Sequence, residues 1–68
     1  MNFISLTTLD EDIIYVRADS ITEVWTIEST KRTPAHSGII TTARNSWRVK
    51  ESPDEILRRI NAAMTGSQ

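Results

Sequence analysis

The residues able to do chemistry in this chain are few, and their types limit what that chemistry could be. The chain has no cysteine and a single histidine, His36, so neither a thiolate nucleophile nor a Cys/His metal cluster can be assembled within it. Asp10-Glu11-Asp12 is the densest carboxylate run. A calcium loop needs oxygen ligands at spaced positions and usually a glycine at its sharp turn, and the triplet has neither. As the tip of a hairpin it also lacks the enclosed pocket that tunes a carboxylate pair for acid–base work. Two glycines in the whole chain leave no phosphate-cradling loop. The expectation is a protein that is not an enzyme and uses no metal or cofactor.

Binding is the chemistry that remains. Lys31, Arg32, Arg44, Trp47 and Arg48 are the candidate partner-binding residues, because arginine and tryptophan are the usual energetic anchors of protein interfaces. The plainer alternative makes Trp47 a core residue and the arginines a solvated face. A second functional reading sets Lys31, Arg32, Arg44, Arg48 and Lys50 in a basic stripe beside Trp47, suited to the phosphates and bases of RNA or DNA. A net charge of −1 weighs against that reading. A partner protein or self-association is expected, with nucleic acid as the alternative and no small-molecule substrate.

The charges are unevenly spread. Asp10, Glu11, Asp12, Asp19, Glu23 and Glu28 face only Arg17 in residues 1–28, whereas residues 29–68 hold all the other bases. The ordinary expectation is that the halves interleave in one sheet and neutralise each other across strands. No apolar run approaches the roughly 20 residues of a membrane span, and the first residues have no basic segment before their apolar ones. A cytoplasmic protein is expected. So short a chain buries a limited core, which makes self-association a reasonable source of further buried area.

The elements that must position these residues follow from patterning. Phe3–Leu9 and Ile13–Arg17 read as strands joined at the acidic tip. Ala18-Asp19-Ser20 is a turn. Ile21–Ile27 is a third strand with apolar residues in both phases. Trp25 is expected in the core, in register with Ile21 and Ile27. If Val24 points inward instead, Trp25 becomes an exposed contact residue. Residues 28–38 form a long basic loop that carries His36. Ile39–Ala43 and Trp47–Lys50 are the last strands, and Asn45 in the turn between them can adopt a positive φ. Ser52, Pro53 and Glu55 spell a helix start. The Ser52 hydroxyl accepts from the Glu55 N–H, Glu55 reaches back to the Ser52 N–H, and proline occupies the first helical position. Ile56, Leu57, Ile60, Ala63 and Met64 form the apolar stripe of a helix from Pro53 to about Met64. The fold class is therefore α+β: a small curved antiparallel sheet or open barrel of about five strands with one C-terminal helix. Residues 1–64 make one domain, and 65–68 a disordered tail.

The same order and residues resemble the FlbD-like family, small proteins found among flagellar genes. The family's Ile-x-Leu-Thr-x-Leu opening reads Ile4-Ser5-Leu6-Thr7-Thr8-Leu9 here. Its Tyr-Val-x-x-Asp-x-Ile reads Tyr15-Val16-Arg17-Ala18-Asp19-Ser20-Ile21, and its final Val-x-Glu-Ser-x-x-Glu-Ile reads Val49-Lys50-Glu51-Ser52-Pro53-Asp54-Glu55-Ile56. The middle departs from the family: a long basic loop replaces a tighter turn, Arg44-Asn45-Ser46 replaces a glycine before the last strand, and two tryptophans are atypical. Similar short proteins occur in phage and prophage genomes. The resemblance implies a small regulator, flagellum- or phage-associated, that acts by binding a protein partner or itself. It implies no catalytic residue. Five strands followed by a helix also match the order of the RNA-binding CsrA family, but that family's Gly-Glu and Ala-Pro motifs are absent.

Overall fold

A computed structural model describes residues 2–65. The elements are β1 (Phe3–Thr7), β2 (Ile13–Arg17), a 3-10 turn (Ala18–Ser20), β3 (Ile21–Ile27), β4 (His36–Thr41), β5 (Ser46–Val49) and α1 (Pro53–Met64). The chain is α+β as expected, but the five antiparallel strands form two sheets, β1-β2 and β3-β4-β5, and close no barrel. The sheets meet at one end, where Thr8 and Val49 form a single antiparallel bridge and the Lys50 N–H donates to the Thr7 carbonyl at 2.8 Å.

Beyond that bridge, side chains take the place of a strand along β1. Both Glu51 carboxylate oxygens accept from the Thr7 N–H, at 3.0 and 3.1 Å. Arg59 of α1 donates to the Ser5 carbonyl at 2.7 Å and lies 3.4 Å from Glu51. A sheet edge needs its backbone groups satisfied or shielded, and here a carboxylate–guanidinium clasp does so.

Both tight hairpins use the same turn. In each, an N–H bonds back three residues (Glu11 to Thr8, Arg44 to Thr41) and a reverse bond closes the loop (Thr8 to Asp12, Thr41 to Asn45). The third loop residue then needs a positive φ, a position usually given to glycine. Here it falls on Glu11 (φ 73°) and Arg44 (φ 66°). The left-handed residue is thus Arg44 and not the expected Asn45.

Ile4, Leu6, Val16, Ala18, Ile39, Val49 and Ile56 form the buried core, with Ile14, Ile21, Val24, Ile60 and Ala63 packed against it. Trp25 is not among them. The β3–β4 register shifts between Ile21 and Glu23, so Ile21 and Val24 both reach the core although their spacing is odd. That bulge reverses the phase that placed Trp25 with Ile21, and Trp25 stands on the outer face, 40% exposed. The strand β4 also begins earlier than expected. His36, Ser37 and Gly38 belong to it, leaving 28–35 as the loop, and β1 ends at Thr7 rather than Leu9.

The helix begins as read. The Ser52 hydroxyl accepts from the Glu55 N–H at 3.2 Å, with Pro53 next. Glu55 does not reach back. Its carboxylate turns to Arg58 and to Arg59 Nε, the latter at 2.7 Å. The buried stripe is narrower than expected: Ile56 is buried and Ile60 and Ala63 are packed, while Leu57 and Met64 are exposed. At about 100° per residue, Leu57 and Met64 fall beyond the line that meets the sheets. Thr65 is the helix C-cap, its N–H bonded to the Asn61 carbonyl at 2.9 Å, and the remaining positions 66–68 of the expected tail lie outside the described residues.

Hydrogen bonds from Arg58, then Arg59, hold the Glu55 carboxyl below its ordinary value. A depressed folded-state value contributes stability that is present above the unfolded value, about 4.3, and is lost as pH falls through the folded one. Helicity followed by circular dichroism is expected to drop as the pH falls below about 4, and Glu55→Gln is expected to flatten that drop.

Candidate partner-binding face

The outer face of β3-β4-β5 carries the most distinctive surface. Trp25, Gly38 and Arg48 are direct cross-strand partners in one row. The indole lies flat on Gly38: a β-carbon there would meet three ring atoms at 2.3–2.8 Å. Arg48 stands in the next strand, so guanidinium and indole share one face with only a glycine between them. Arg48 is exposed and makes no ion pair among the described residues. Glu23 precedes Trp25 by two positions and is also exposed, so the face has an acidic margin as well as a basic one.

The other residues expected to bind disperse. Trp47 precedes Arg48 in β5 and projects to the opposite side, opposite Ile39. It stands at the mouth between the sheets, 40% exposed, beside Ile14 in a cleft that also touches Arg17 and Asn45. It is neither core nor a free contact, and the basic stripe does not run beside it: Arg48 accompanies Trp25. Lys31 and Arg32 lie in the 28–35 loop, where the Thr30 N–H bonds the Thr33 carbonyl at 2.8 Å and the Thr30 hydroxyl accepts from the N–H groups of Arg32 and Thr33. Arg44 is alone at the β4–β5 turn. Like Arg48, these three bases form no ion pair among the described residues.

Among the described residues the two halves do not neutralise each other across strands. Of the ion pairs among the described residues, only Glu11–Lys50 joins an acid of the first half to a base of the second; Arg17–Asp19 and the Glu51/Glu55–Arg58/Arg59 cluster are local. The reason is topological. Most acids of the first half lie in turns and loops off the strands, and Glu23 on β3 is separated from Arg48 on β5 by β4, which carries no acid, lysine or arginine.

Arg44 holds a conformation that costs an L-residue about 1–2 kcal/mol. Arg44→Gly is expected to stabilise the fold by about 1 kcal/mol, read as a higher urea midpoint at unchanged slope.

Among the described residues no three His, Cys, Asp or Glu side chains are placed to hold a metal ion. No helix among them is long and apolar enough to cross a membrane. No protein-family model, curated protein or solved structure matches this chain.

The role of Glu51 escaped the sequence reading, which gave it no structural part beyond its place in the Val49–Ile56 motif. The available signal was a lone carboxylate between the end of a strand and a helix cap, where a sheet edge would otherwise stay open.

Proposed function

We propose that this chain is a small non-enzymatic module that binds a protein partner through the outer face of β3-β4-β5. The observation that carries the reading is Trp25. A large aromatic ring is left 40% exposed on a glycine, beside an arginine with no ionic partner among the described residues. Such a ring offers wide contact area at small entropic cost, and the arginine adds direction. The matching partner surface presents an apolar group to Trp25 and a carboxylate to Arg48. The FlbD-like resemblance supports a regulatory role in a flagellar or phage setting, in the cytoplasm, with a second copy of the chain as the alternative partner.

The test is capture of partner from host lysate with Trp25→Ala and Arg48→Glu variants. Each is expected to lose at least about tenfold in captured partner while melting as the wild type does. Undiminished capture by both variants sinks the reading. Retention of RNA or DNA instead, weakening steeply with added salt, would favour the nucleic-acid alternative.

A further inference from the structure

The outer face of β3-β4-β5 presents two opposite charges that the fold keeps apart. Glu23 of β3 and Arg48 of β5 are both exposed, and neither makes an ion pair among the described residues. They sit in adjacent rows of the ladder: Glu23 with Ile40 and Ser46, Arg48 with Gly38 and Trp25. Two strand spacings and a step of two residues put their backbones about 12 Å apart. β4 and the indole seated on Gly38 lie between them, so they do not meet within one chain. The centre of the face is apolar, with Trp25 partly exposed and Ile40 half-buried.

Trp25 and Arg48 call for a surface with an apolar group beside a carboxylate, and this face carries one itself. We propose that a second copy of the chain docks here, face to face about a two-fold axis. The axis lies in the interface and crosses β4 between Gly38 and Ile40. It sets Glu23 of each copy against Arg48 of the other, with Trp25 and Ile40 of both copies at the centre. A two-fold interface uses one patch twice, so a single acid and a single base give two reciprocal ion pairs. An aromatic centre with charges at its margin is the common anatomy of a specific contact. The net charge of −1 per chain opposes the approach only weakly. The face spans about 14 Å across three strands and about 20 Å along them, so its area falls well below the roughly 800 Å² per partner of a standard interface. The dimer is accordingly weak and forms as concentration rises. Docking of a second copy rests on the contact role proposed for this face and names its occupant.

The experiment follows the full chain by sedimentation equilibrium at low salt, from about 10 μM to about 1 mM. The mass is expected to climb from one chain toward two across that range, and to climb less when salt is added. Glu23→Arg and Arg48→Glu, each alone, set like charges against each other twice and are expected to weaken the dimer at least about tenfold. An equimolar mixture of the two variants restores both pairs, as does a double variant carrying both substitutions in one chain. Both are expected to associate nearly as the wild type does, a recovery that a misfolded variant could not give. A wild type of one-chain mass at the top of the range overturns the proposal whatever the variants do. So does undiminished association of either single variant, or a mixture that associates no better than its components. A monomeric chain whose capture of a lysate protein still needs Trp25 and Arg48 would give the face to a different protein. Recovery on mixing, together with capture indifferent to both residues, would keep the dimer and exclude that protein.

Discussion

Ile56→Ala is expected to leave a large part of the population unfolded at physiological temperature. Ile56 is wholly buried, the only α1 residue in the buried core, and it joins the helix to both sheets' apolar groups. Deleting a buried isoleucine to alanine costs about 2–5 kcal/mol through lost transfer energy and the cavity left behind. Domains as a class have only about 5–15 kcal/mol in total, and a 68-residue chain belongs near the bottom of that range. Urea denaturation followed by far-ultraviolet circular dichroism measures the loss. Leu57→Ala is the internal control: one position on, exposed, and expected to cost less than about 1 kcal/mol. Equal losses at the two positions would mean that the helix does not dock along the Ile56–Ile60–Ala63 line.

The second large effect belongs to Glu51. Its carboxylate is 12% exposed, accepts the Thr7 N–H with both oxygens and lies beside Arg59. Glu51→Ala leaves a strand amide without an acceptor and removes one of the two carboxylates beside the Arg59 guanidinium, which keeps Glu55. Hydrogen bonds to charged groups contribute about 1.5–3 kcal/mol, so a loss of about 2–3 kcal/mol is expected. Glu51→Gln keeps an oxygen for Thr7 and is expected to cost roughly half as much. The specific readout is amide hydrogen exchange at Thr7, which is expected to accelerate in Glu51→Ala far more than at Leu6. Unchanged protection of Thr7 would show that the clasp does not form in solution.

Local chemistry made much of this fold legible. Ser52, Pro53 and Glu55 announce the helix because three separate backbone needs meet in four residues. Ile13–Arg17 and Trp47–Val49 could be read because their residue types favour strands whatever packs on them. What failed was whatever depends on a partner distant in sequence. His36, Ser37 and Gly38 look like loop, yet they are strand because β3 pairs with all three and β5 pairs with Ser37 and Gly38 from the other side. Trp25 was misplaced because one extra residue in β3, invisible in its alternation, reverses the phase. The candidate site was half legible. Arg48 was picked out by type, but its aromatic neighbour is set by the ladder across Gly38, not by the chain. The turn Arg44-Asn45-Ser46 was legible, but its positive φ was expected at Asn45 and falls on Arg44, because the third loop position is fixed by the pairing of the strands on either side.

The clasp also has a consequence in time. The hairpin β1-β2 and the meander β3-β4-β5 each close over short spans of chain, whereas Thr7 and Glu51 are 44 residues apart. Closing so long a loop is entropically slow, so the two local units form first and the clasp fastens afterwards. Interactions absent from the folding transition state act on unfolding alone. Glu51 therefore sets how long the folded chain persists rather than how fast it is reached: its loss would shorten the native lifetime and leave the refolding rate untouched.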